Sequence, residues 1–84
     1  MENTAQYTIL DEVSTFLVSR PTLEQITEFT ASEAAQLRLR YLLDANREGA
    51  LTDSERVELD DASRMDHFMS MLKIKAHKAL AQAK

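Results

Sequence analysis

The chain has no cysteine, one glycine (Gly49) and one proline (Pro21) in 84 residues. Without cysteine there is no disulfide framework, no thiolate metal site and no cysteine nucleophile. So little glycine and proline leaves scant turn chemistry, and the β-branched residues are scattered rather than alternating, which speaks against sheet structure. No apolar run approaches the ~20 residues that span a bilayer. The start, Met1-Glu2-Asn3-Thr4, is not basic and no apolar signal core follows it, so a cytoplasmic location is expected. Catalytic patterns are missing as well: no His-x-x-x-His, no Ser/His/Asp grouping and no glycine-rich phosphate loop. His67 and His77 are separated by roughly 1000° of helical rotation and face different sides. Asp66 diverges from His67, and Asp60 and Asp61 flank no candidate base. The expectation is a non-enzymatic protein without a cofactor.

What remains is helical. The chain is read as one all-α domain, residues 1–84, with three shorter helices packed on a long C-terminal one. A chain this short buries a modest fraction of its surface, and oligomerisation is a common remedy. The first helix is expected from Ala5 to Val18, with Ile9, Leu10, Val13, Phe16 and Leu17 on one face. Pro21 ends it and pushes Arg20 away from helical angles. Thr22 with Gln25 forms a capping box for a short second helix carrying Leu23, Ile26 and Phe29. Thr30 with Glu33 is expected to start a third, whose apolar positions are Ala34, Leu37, Tyr41, Leu42 and Leu39. Arg38 and Arg40 sit at its rim. The fourth helix follows Thr52 and meets no breaker, so it can run about thirty residues, or ~45 Å.

Along that helix Ala62, Met65, Met69, Leu72, Ala76, Ala79 and Ala83 recur at steps of three and four, a heptad pattern. A second stripe of Phe68, Met71 and Leu72 widens the face. The methionines with Phe68 form an adaptable surface, read chiefly as core. The seam toward the C-terminus outruns the shorter helices, so a homodimer is expected there. Phe68, Met69, Leu72, Ala76, Ala79 and Leu80 are the expected partner-binding residues.

Residues 44–55, Asp-Ala-Asn-Arg-Glu-Gly-Ala-Leu-Thr-Asp-Ser-Glu, admit two readings. As a calcium loop they place Asp44, Asn46, Glu48, the Ala50 carbonyl, Thr52 and Glu55 at the six ligand positions, with Gly49 at the turn. Against this, Glu48 is one methylene too long, and Arg56 is charged where the exiting helix should be apolar. As a helix stop and start, Gly49 is the left-handed closing residue and Leu51 folds back on the last turn. Thr52 and Glu55 then form a capping box. The second reading explains the glycine, Leu51, Thr52 and Glu55 without metal and is preferred.

The charge is uneven. Residues 1–66 hold all 14 acidic residues and six arginines, and residues 67–84 hold four lysines and no acid. Lys73, Lys75, Lys78 and Lys84 could meet nucleic acid, but lysines without arginine or aromatic neighbours make a weak footprint. Lysines also suit the negative end of a helix dipole. The expected partner is therefore a protein rather than nucleic acid or a membrane.

The segment Leu42 to Arg56, with Glu58-Leu59, Met65-Asp66-His67-Phe68-Met69 and Leu72-Lys73, resembles a family of small uncharacterised bacterial helical proteins frequent in cyanobacteria. Asn46-Arg47-Glu48-Gly49-x-Leu51-Thr52-x-x-Glu55 matches its signature, and Phe16 to Gln36 is similar in style. The resemblance implies an accessory or antitoxin-like protein, since such proteins accompany nucleases or toxin-like partners. It also implies Glu in relatives at the position of Asp44.

Overall fold

In the computed structural model, which describes residues 8–83, four hydroxyl side chains start the helices. Thr8, Thr22, Ser32 and Thr52 each accept a hydrogen bond at 3.1 Å from the backbone N–H three residues on, at Asp11, Gln25, Ala35 and Glu55. Each satisfies a donor that a helix start leaves orphaned. The helices are α1 (Ile9–Val18), α2 (Leu23–Glu28), α3 (Glu33–Arg47) and α4 (Asp53–Gln82), and no strand occurs among the described residues. The all-α class and the long last helix are therefore as expected, and α4 packs on all three others.

Two capping boxes, Thr22 with Gln25 and Thr52 with Glu55, form as read. Two starts differ. Helix α1 begins at Ile9 because Thr8 is extended; residues 5–7 of the expected helix lie outside the described residues. Helix α3 is capped by Ser32 rather than Thr30, and Glu33 is its first residue rather than a capping partner. The cause is tertiary. The Glu12 carboxylate of α1 accepts the Ser32 backbone N–H at 2.8 Å and the Ser32 hydroxyl as well.

The two positive φ angles among the described residues, both at helix ends, have separate reasons. Arg20 adopts φ 60° after α1, and Pro21 has no N–H to close the turn further. Gly49 has φ 70°. Its N–H donates to the Asn46 carbonyl at 3.1 Å, and the Ala50 N–H donates to the Ala45 carbonyl at 2.8 Å. That bond pair is the Schellman closure. A methyl group on Gly49 would meet no atom within 4 Å, so Gly49→Ala isolates the backbone penalty. Urea denaturation of that variant is expected to show a loss of about 1 kcal/mol.

The core is thin and rich in alanine. Ile9, Val13, Ala35, Ala62 and Met69 form a buried cluster, extended by half-buried Phe16, Leu17, Phe29, Leu39, Met65 and Leu72. The Phe16 and Phe29 rings meet at 4.6 Å with a 41° tilt. Leu42 is wholly buried, and no polar side chain is buried among the described residues. In α3 the buried face is Ala35, Leu42 and Ala45, not the Ala34–Leu37–Tyr41 line, and Leu37 and Tyr41 are exposed. Leu42 turns fully inward on the same face as the small Ala35 and Ala45.

Candidate partner-binding face on the long helix

At 3.6 residues per turn, α4 has two distinct sides. Ala62, Met69 and Ala76 are buried, and Met65, Leu72 and Ala79 are half-buried along the same stripe. Opposite them, within an arc of ~120° at ~100° per residue, lie Arg64, His67, Phe68, Met71, Ile74, Lys75 and Lys78. Phe68, Met71 and Ile74 are 44%, 46% and 56% exposed. A groove of 360 Å³ runs along this side, and every residue lining it belongs to α4: Arg64, His67, Phe68, Met71, Leu72 and Lys75. Arg64 pairs with Asp60 at 3.0 Å. Lys75 and Lys78 form no ion pair within the described residues.

The expected partner-binding residues are thus divided. Met69 and Ala76 are 4% and 3% exposed and belong to the chain's own core. Leu72, Ala79 and Leu80 are half-buried, Phe68 is open, and Ala83 ends the helix exposed. The heptad seam on which self-pairing was expected is therefore largely covered by the shorter helices. Ile74 and Val57, both open, were missed as surface candidates. The signal for them was phase: each sits opposite the heptad stripe.

A second, larger groove of 420 Å³ lies between α1, α3 and α4, with Val13, Phe29, Leu39 and Met69 as its floor and Arg40, Asp66 and Lys73 at its edges. Lys73 thus lies on a different side from Lys75 and Lys78, so the three lysines do not make one basic strip. Lys84 lies outside the described residues.

The calcium ligands are likewise not assembled. Asp44 and Asn46 sit inside the last turns of α3, where residues two apart do not face each other. Asp44 accepts from Arg47 at 3.1 Å. Glu55 is engaged elsewhere: Oε1 accepts the Thr52 backbone N–H at 3.0 Å, and Oε2 accepts the Tyr41 hydroxyl at 2.8 Å. Among the described residues no group of three or more His, Asp or Glu side chains is placed to hold a metal ion.

Glu55 is instead one corner of a clasp between α3 and α4. Arg38 donates from Nε and Nη2 to the two Glu58 oxygens at 2.8 and 2.9 Å, a bidentate pair, and lies 5.0 Å over the Tyr41 ring. The Thr52 N–H, then the Tyr41 hydroxyl, hold the Glu55 carboxyl below its usual value, and the bond to Glu55 holds the Tyr41 phenol above its own. For a lowered carboxyl, the stabilisation is complete above the ordinary glutamate value of ~4.3 and fades as pH falls through the lower folded value. Glu55→Gln keeps an acceptor for Thr52 and removes the titration. Urea midpoints measured from pH 7 down to about 3 are expected to fall less steeply in Glu55→Gln than in the parent chain.

No helix of the described residues is long and apolar enough to cross a membrane. No family model matches the chain, and no curated protein or solved structure matches it either.

Proposed function

We propose that the chain is a non-enzymatic accessory protein that binds another protein through the outward face of α4, in the antitoxin-like or nuclease-associated manner that the resemblance of residues 42–73 implies. One observation carries the reading. Phe68, Met71 and Ile74 are open on one helix side, although that helix already buries a full apolar stripe on the other. Isolated exposed apolar residues are ordinary, but a contiguous set around a groove marks an interaction surface. A single helix presenting such a stripe is suited to helix-on-helix docking.

The test is Met71→Ser/Ile74→Ser, which alters two exposed positions and leaves the core untouched. Circular dichroism is expected to show the parent's helix content. The protein retained by the parent chain, once purified, is expected to bind it in calorimetry and to lose at least about tenfold in affinity for the variant. Equal affinity for both would remove the face from the interaction.

A further inference from the structure

Granting that this face takes a protein partner, we infer that the docking segment of that partner is an acidic amphipathic helix. Between Arg64 and Lys78 the outward side of α4 presents Arg64, His67, Lys75 and Lys78 and no carboxylate. The one acid in that span, Asp66, lines the opposite groove with Met69 and Lys73. The face is therefore net positive on a chain whose formal charge is −4. Arg64 has Asp60 beside it. Lys75 and Lys78 have no acid opposite them within the described residues, so no side chain there neutralises the positive charge nearest the C-terminal end of the face.

The dimensions agree with a helix as the occupant. Phe68, Met71 and Ile74 occupy successive turns, with cations on the flanking positions. From Arg64 to Lys78 the face extends ~21 Å, the length of about four helical turns. An amphipathic helix meets such a surface with its apolar stripe on the three side chains and its acids over the flanking cations. Charge matching of this kind sets orientation and suppresses wrong partners.

Other occupants fit less well. A phosphate backbone would satisfy the lysines and leave three large apolar groups against charge. A second copy would bring the same positive face. Paired antiparallel, it would offer the outward side of its own N-terminal half, where Asp53 and Asp60 are balanced by Arg56 and Arg64.

The experiment uses two fluorescein-labelled helical peptides of about 18 residues. Both carry Leu and Ile on one stripe. One has Glu on the flanking positions, and its twin has Lys there. Anisotropy titrations with the full chain are expected to show the Glu peptide binding at least about tenfold tighter than its twin, with the difference shrinking at about 0.5 M salt. Lys75→Glu/Lys78→Glu is expected to reverse the order of the two peptides. Both positions are exposed, and helix content read by circular dichroism keeps the comparison fair. Met71→Ser/Ile74→Ser is expected to abolish binding of both.

Equal binding of the two peptides, unchanged by Lys75→Glu/Lys78→Glu, would overturn the acidic-partner inference and leave the helix-binding face standing. Failure of both peptides to bind would also overturn it; whether the face binds protein at all is then decided by the calorimetry of the retained protein. Tighter binding of a single-stranded oligonucleotide of about 20 nucleotides, or of anionic vesicles, would assign the face to those surfaces instead. Self-association lost in Met71→Ser/Ile74→Ser would assign it to a second copy.

Discussion

Leu42→Ala is expected to lower the stability of the chain by about 3 kcal/mol, the largest loss from any single truncation of its core. Leu42 is 0% exposed and is the largest of the fully buried side chains. Removing three carbons there leaves a void, and the loss grows with how little the surroundings can close it. The whole stability of a chain this size is on the order of 4–13 kcal/mol, so a quarter or more would go with one residue. Thermal unfolding is expected to shift down by roughly 12–24 °C. In urea the midpoint should fall while the slope stays constant, because the surface exposed on unfolding is nearly unchanged. A loss below about 1 kcal/mol would mean that the bundle collapses onto the gap.

Ala62→Leu is the converse case. Transfer of a larger side chain out of water would by itself stabilise the fold. Ala62, however, lies in the buried cluster with Ile9, Val13, Ala35 and Met69, where a methyl group is what allows α4 to lie close to its neighbours. Three extra carbons must push those helices apart, and the expected net loss is about 1–3 kcal/mol. Ala81→Leu, at an exposed position of the same helix, is the control and should stay within about 0.5 kcal/mol of the parent. Equal behaviour of the two variants in chemical denaturation would contradict the close packing at Ala62.

Features set by local chemistry were legible before the structure. Thr22 with Gln25, Thr52 with Glu55, and Gly49 act within three or four residues of themselves, so their spacing carries the whole signal. Ser32 was not legible, because Thr30 has the same local capping chemistry and the choice is made by Glu12, twenty residues away. The face of α3 failed for a related reason. Hydrophobicity favours Leu37 and Tyr41, but the contact selects the small Ala35 and Ala45, and Tyr41 is drawn to Glu55. On α4 the period was read correctly, yet a period does not say which stripe its own chain covers. The stripe at Met69 and Ala76 went inward, and the candidate surface is the one opposite.

A core of hydrocarbon alone is indifferent to register. Methyl groups one helical turn apart look alike to a neighbouring helix, and among the described residues no buried polar side chain distinguishes one alignment from the next. The keys are on the outside: Arg38 on Glu58, Tyr41 on Glu55, and Glu12 on Ser32. Each ties residues distant in sequence at one fixed alignment. Removing the three contacts together, in Glu12→Ala/Tyr41→Phe/Glu58→Ala, should therefore act first on alignment and only later on helix content. The expected product is a compact state with its far-ultraviolet signal intact and its aromatic signal lost.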